Sequence, residues 1–232
     1  MEEPIVPKHV AIIPDGNRRW SRQKGVSILK GYKKGFETGF ALTHMARKMG
    51  IKVLTFWAFS TENWSRAGDE VNGLMKLFEI LIDEYLKDAL RDKVRIIHIG
   101  RKDRLGTSLR NKIADAEKKT RRFTKYYLVA ALDYGGKDEL LRCIQKISRT
   151  KKKVKTVTKE YISQLLDTHA LPYPDVDLVI RTGGEQRTSG FMPWQTEYAE
   201  YAFVPEYFPD FTPDLFKKCI EDFTQRQRRF GK

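Results

Sequence analysis

What this sequence lacks bounds its function first. It has only two cysteines, Cys143 and Cys219, far apart and without CxxC spacing. A disulfide framework and a cysteine metal site are therefore set aside, and both thiols read as reduced. No apolar run approaches the roughly 18 residues of a membrane span, and the opening "MEEPIVPKH" has no apolar signal core. A soluble, cytoplasmic protein is expected, with peripheral contact at a membrane surface left open. HExxH, GxSxG and GxxxxGK[ST] are all missing, so zinc hydrolase, serine hydrolase and P-loop chemistry lose their usual residues. Acidic residues are scarce too: 30 Asp and Glu face 44 Lys and Arg, a net charge of +14. That excess points to anionic partners such as nucleic acid, lipid headgroups or phosphorylated small molecules. No nucleic-acid motif accompanies it, which argues against that class.

What is present alternates. Short apolar or β-branched runs at 9–13, 52–59, 94–100, 126–133 and 176–182 read as strands. Between and after them, 32–50, 69–91, 108–122, 137–148, 158–169 and 212–230 read as helices. Val71, Leu74, Leu77, Phe78 and Leu81 give the second of these one apolar face, and Thr158 is placed to cap the fifth. The pattern predicts one α/β domain over residues 1–232, with a mostly parallel central sheet flanked by helices. In such sheets the ligand lies beyond the carboxyl ends of the strands. Three polar clusters fall there: "DGNRRW" (15–20), "STENWSR" (60–66) and "RTGGEQRTSG" (181–190).

Each cluster alone has an ordinary reading. Asp15 beside Arg18 or Arg19 reads equally as a structural ion pair. The Gly-Gly pair after Arg181 is as good a tight turn as an anion site. Trp20, Trp57, Trp64 and Trp194 read singly as core, His98 as a packed histidine, and "KKKVK" (151–155) as a solvated loop. Combined, the clusters describe something more specific. Glycines let backbone amides approach an anion, and Arg181, Arg187 and Arg19 can clamp phosphate oxygens bidentately. Asp15 among them is a hard oxygen donor suited to Mg2+ shared with substrate phosphates.

"HVAIIPDGNRRW", "FWAFSTENWSR" and "DLVIRTGGEQRTSGFMPWQTEYAE", in this order and spacing, resemble the cis-prenyltransferase family of Z-type isoprenyl diphosphate synthases, and the resemblance runs to "RRFGK" at the end. It implies the family's parallel-sheet α/β domain, an apolar tunnel between sheet and helices, and a homodimer. It also implies Mg2+-dependent condensation of an allylic prenyl diphosphate with isopentenyl diphosphate to give a Z-prenyl diphosphate. Carried over by position, Asp15 is the Mg2+-linked carboxylate, and Gly16, Asn17, Arg18 and Arg19 hold the allylic diphosphate, with Trp20 beside them. Ser60, Glu62, Asn63, Trp64 and Arg66 lie around the reacting centre, Asn63 being assigned a catalytic role with Asp15. Arg181, Arg187 and Ser189 hold isopentenyl diphosphate. Glu200 is a second Mg2+ ligand near the dimer interface, and Arg229 and Gly231 form a tail that reaches the partner's site.

One segment departs from the family pattern. "ILKGYKKG" has Ile28 and Tyr32 where the family has an arginine and a histidine that attend the first diphosphate. A tyrosine supplies one hydroxyl and no positive charge. The departure motivates an alternative, transfer to a hydroxyl compound or a second allylic diphosphate; a non-catalytic subunit of a heteromeric synthase is the third reading. For the tunnel, Ala58 is expected to permit passage, while Phe36, Phe40, Trp57 and Leu128 would narrow it, if they are more than ordinary core. Short or medium products are expected.

Overall fold

A computed structural model describes residues 6–150 and 156–225. The tail residues Arg229 and Gly231 and the "KKKVK" run lie outside the described residues. Six strands form one sheet in the order β3-β4-β2-β1-β5-β6, and all its pairings are parallel. They are β1 His9–Ile13, β2 Val53–Ser60, β3 Val94–Ile99, β4 Tyr126–Tyr134, β5 Leu178–Arg181 and β6 Glu200–Phe203. Seven helices accompany them: α1 Asn17–Gln23, α2 Ile28–Lys48, α3 Gly68–Asp92, α4 Thr107–Thr120, α5 Gly136–Arg149, α6 Lys159–Leu165 and α7 Pro213–Thr224.

Strand β1 explains why the sheet is buried on both sides. All five of its residues are buried. Successive side chains point to opposite faces, so Val10 and Ile12 join one apolar cluster, with Leu42, Phe216 and Phe223. Ala11 and Ile13 join another, with Tyr134 and Phe191. Two covered faces are what a parallel sheet requires. A third cluster packs Phe59 and Leu132 against Val71, Leu74 and Phe78 of α3 and Leu109 and Ile113 of α4. Burying this much apolar surface is the main favourable term for a domain of this size.

Most expected elements appear within a few residues of their predicted limits. Helix α2 begins at Ile28, four residues before the spacing suggested, because Ser27 accepts a hydrogen bond from the Lys30 amide and caps it. Thr158 caps α6 as expected, but that helix stops at Leu165. Helix α7 is described to Thr224. Two elements were not anticipated. The segment after Asp15, to which the sequence pattern assigned no helix or strand, is helix α1, and Glu200–Phe203 pairs with β5 as an edge strand. Cys143 and Cys219 are both buried and unpaired, as the lack of CxxC spacing indicated.

Candidate active site

The chain leaves β1 for β2 on one side and later places β5 on the other, so the β1–β5 boundary is the topological switch point where such sheets bind ligands. Register pairs Ile13 with Arg181 across it. Asp15 and Arg181, 166 residues apart in sequence, therefore meet: Arg181 Nη2 donates to Asp15 Oδ2 at 2.9 Å.

Asp15 is held from several directions. The Gly16 amide donates to its Oδ1 at 2.6 Å, and Arg19 Nη2 lies 3.3 Å from the same oxygen. Burial works to raise its pKa, but the hydrogen bond and charge of Arg181, with Arg19 and the Gly16 amide, outweigh it and hold the carboxyl below its ordinary value. Gly16 has φ 102°, and a Cβ there would come within 2.6 Å of the Tyr207 ring. Only glycine fits, and its left-handed turn sends the chain directly into α1. Gly183, at φ 84°, similarly leaves room for Arg19, whose Nη2 would sit 2.7 Å from an added Cβ.

Arg181 is only 5% exposed. Besides Asp15 it donates to Ser189 Oγ at 3.0 Å and to the Arg187 carbonyl. Arg187 itself is exposed and ion-paired with Glu185, which also pairs with Arg19 at 3.2 Å. Glu185 was not among the expected site residues. It occupies two cations that an anionic ligand would compete for.

On the other side of the mouth, Arg66 Nη1 donates to the Tyr32 hydroxyl at 2.6 Å and lies 3.2 Å from Glu70 Oε1. Arg18 reaches the same Glu70 oxygen at 3.6 Å. Burial raises the Tyr32 pKa despite Arg66 beside it, so the hydroxyl stays neutral at neutral pH. Ile28 lies at the start of α2 and does not line the cavity, whereas Tyr32 does.

The 3-10 turn Thr61–Ser65 carries Asn63, whose Oδ1 accepts from the Ser60 amide at 3.1 Å, leaving its NH2 to donate. Trp64 turns away. Its Nε1 donates to buried Asp133 at 2.9 Å, and Arg104 grips both oxygens of that carboxylate. Trp64 thus anchors the turn and does not line the cavity. Glu62 is exposed and accepts from Thr61, and Trp20 also lies outside the lining.

These polar groups ring the mouth of a cavity of about 550 Å3. Asp15, Gly16, Asn17, Arg18, Arg19, Tyr32, Ser60, Asn63, Arg66, Arg181 and Ser189 all line it, together with Arg22, which the sequence did not single out. Behind them it is apolar and runs between the sheet and α2, α3 and α4, past Phe36, Phe78, Leu81, Ile96, Ile113 and Leu128. Ala58 and Trp57 line it too, but Phe40 does not; Phe40 packs edge-on to Tyr85. Tyr85 also lines the cavity and ties α3 to α2, donating to the Phe36 carbonyl at 2.9 Å. His98 forms part of the wall, its Nε2 donating to the Leu132 carbonyl at 2.9 Å, and burial lowers its pKa to about 4.

Such a site, polar at the strand ends with a deep apolar pocket behind, suits an anionic head on a hydrocarbon tail. The comparisons agree. A family model described as putative undecaprenyl diphosphate synthase matches residues 13–231. The chain belongs to the cis-prenyltransferase family. Membership makes it a prenyl-transferring enzyme of isoprenoid biosynthesis. It is 42% identical over 230 residues to an isoprenyl transferase of Agrobacterium fabrum, covering 97% of this chain and 92% of the relative. It is 39% identical to the ditrans,polycis-undecaprenyl-diphosphate synthase, (2E,6E)-farnesyl-diphosphate specific, of Micrococcus luteus, with the same coverage. Among solved structures, lavandulyl diphosphate synthase from Lavandula x intermedia, in complex with dimethylallyl diphosphate, superposes with a TM-score of 0.95 at 31% identity, covering 99% of this chain and 100% of that one. A probable undecaprenyl diphosphate synthase from Campylobacter jejuni gives 0.82 at 34% identity, covering both chains fully.

Within one chain Asp15 lies apart from Glu200, the carboxylate that the resemblance places near a dimer interface. Glu200 pairs with Leu178 at the start of β5, while Asp15 follows the strand end that pairs with Arg181. The two carboxylates thus sit toward opposite ends of the sheet. Among the described residues no helix is long and apolar enough to cross a membrane.

Proposed function

We propose that this prenyltransferase condenses an allylic prenyl diphosphate with isopentenyl diphosphate to form a Z-prenyl diphosphate, with Mg2+ as cofactor. The observation that carries this reading is the joining of Asp15, Arg19, Arg181 and Ser189 at the mouth of the apolar cavity. The allylic tail fits the apolar channel. Its diphosphate sits at the mouth against Arg18 and Arg19, where ionisation of the carbon–oxygen bond leaves an allylic cation. The isopentenyl double bond attacks that cation, and a proton is lost from the adduct. Arg181 and Ser189, with Arg187 once released from Glu185, orient the second diphosphate. Fixed cations aimed where negative charge develops need no reorganisation during the step.

Asp15 fits Mg2+. It is a partly exposed carboxylate lining the mouth, and among the described residues no group of three or more His, Cys, Asp or Glu forms an all-protein cage. Mg2+ ordinarily combines one or two carboxylates with substrate phosphates and water. When bound, it would neutralise charge on the departing diphosphate. Glu200, Arg229 and Gly231 would contribute only through a homodimer.

A second reading is favoured by two observations. Tyr32 engages Arg66 at the position where the family has a histidine, and the superposition with a relative that binds dimethylallyl diphosphate is close. In that reading the acceptor is a second allylic diphosphate. Incubation with Mg2+ and radiolabelled dimethylallyl, geranyl or farnesyl diphosphate, each with and without isopentenyl diphosphate, separates the two. Product that requires isopentenyl diphosphate supports the first reading. Product formed from allylic diphosphate alone supports the second, and no product from any combination defeats both.

A further inference from the structure

We propose that the amino-terminal edge of β2, β3 and β4 is a docking face for an anionic membrane surface. Because the strands are parallel, their first residues share the edge opposite the active site. The segments that form this edge, 48–53, 93–95 and 118–127, hold nine lysines and arginines and no aspartate or glutamate. Among the described residues only Lys119 of the nine is ion-paired, with Asp115. The nearest carboxylates in sequence before Lys93, Asp88 and Asp92, are taken by Arg91 and Arg47.

Four of the nine cations are seated on aromatic rings. Lys52 and Lys125 both lie over Tyr126, at 5.2 and 5.3 Å, Arg95 lies 5.8 Å over Tyr127, and Arg122 lies 5.2 Å over Phe123. Tyrosines and basic side chains together are the composition found at headgroup depth. The active-site edge is built the opposite way, with Arg19, Arg66, Arg181 and Arg187 each satisfied by a carboxylate.

The apolar cavity supplies the reason for choosing a bilayer over a nucleic acid. Its wall includes Ile96 and Leu128, which are register partners. The next pair toward the edge is Arg95 with Tyr127. The hydrocarbon-lined space therefore reaches to within one residue of the basic edge. On the proposed prenyl-transfer reading, on which this choice rests, the apolar product needs an apolar sink, and a bilayer beneath this edge provides one. A nucleic acid would use the charge and leave the cavity unexplained.

The test is sedimentation of the purified full chain with phosphatidylcholine vesicles, alone or with roughly a third phosphatidylglycerol. Binding is expected only to the anionic vesicles and should weaken steadily with added salt. The triple variant Arg121→Gln, Arg122→Gln, Lys125→Gln alters three exposed side chains and should lower that binding by about a hundredfold. The control Lys76→Gln, Lys137→Gln, Lys218→Gln removes as many exposed charges elsewhere and should bind like the unaltered chain. Equal binding to both vesicle types, salt-insensitive binding, or equal loss in the control would overturn the proposal. So would tighter binding of a mixed-sequence RNA that is lost in the first triple variant. Vesicle binding needs no substrate, so failure of every transferase assay with vesicle binding intact would remove the functional reading and leave the docking face standing.

Discussion

The two sides of the cavity mouth hold their arginines by different means. On the β1–β5 side, Arg181 is buried and fixed by Asp15, Ser189 and the Arg187 carbonyl, while Glu185 holds Arg19 and Arg187 in reserve. On the α2–α3 side, Arg66 and Arg18 share one carboxylate, Glu70, and Arg66 leans on a neutral phenol. The first side is assembled by contacts within the chain. The second has given up the family's arginine and histidine, and its remaining guanidiniums are partly satisfied internally. On the proposed reading the two diphosphate positions differ in strength, with Tyr32 as the residue expected to set the difference.

The largest effect is expected from breaking the first side at its centre. Asp15→Ala should lower turnover by about a hundredfold or more, with circular dichroism unchanged because the carboxylate is partly exposed. Near-normal turnover with Mg2+ would remove Asp15 from the chemistry. The same group predicts a pH behaviour. Its folded pKa is depressed, so the stability from its pairing is fully present above the unfolded carboxylate pKa and is lost only as pH falls through the lower folded value. Thermal melts of wild type and Asp15→Asn should therefore differ at neutral pH and converge under strong acid.

Next, Arg181→Lys and Arg187→Lys should separate. Buried Arg181 loses its fork and leaves Ser189 and the Arg187 carbonyl without their donor, so stability should drop by about 1–3 kcal/mol along with activity. Exposed Arg187 should change only KM for the acceptor diphosphate. Equal melting temperatures for the two variants would show that burial does not distinguish them.

Restoring the family residues sharpens the comparison from the other side. Ile28→Arg with Tyr32→His should tighten allylic diphosphate binding by about tenfold, a charge-assisted hydrogen bond being worth roughly 1.5–3 kcal/mol. Since Ile28 does not line the cavity and Tyr32 does, Tyr32→His alone should supply most of the gain, read as KM for the allylic substrate with KM for the acceptor unchanged. A gain from Ile28→Arg alone would reverse that assignment. The smallest effect belongs to Glu185→Gln, which releases Arg19 and Arg187 and should lower KM for diphosphate substrates by a few-fold; a raised KM would make Glu185 part of the binding site itself.

Much of the fold was readable because it is written locally. Apolar runs of strand length, amphipathic spacing in α3, and caps such as Thr158 depend on residues a few positions apart. Helix α1 escaped notice because it has only seven residues, and Gly16 at its N-cap makes no side-chain hydrogen bond. Strand β6 escaped because four residues carry little periodicity; what makes it a strand is the hydrogen-bonding edge of β5.

The sequence by itself determined the alternation of strands and helices, the family motifs, and the placing of three polar clusters at strand ends. Only the tertiary structure decided which of those residues act together. Asp15 with Arg181, Arg66 with Tyr32, and Trp64 with Asp133 are separated by 166, 34 and 69 positions. The structure also turned Trp64 from the cavity to an anchor, left Ile28 off its wall, and set Glu200 at the far end of the sheet. The physical reason is that a residue's conformational preference is set by its chain neighbours, whereas its partners are set by strand register, which is fixed only when both faces of the sheet are packed.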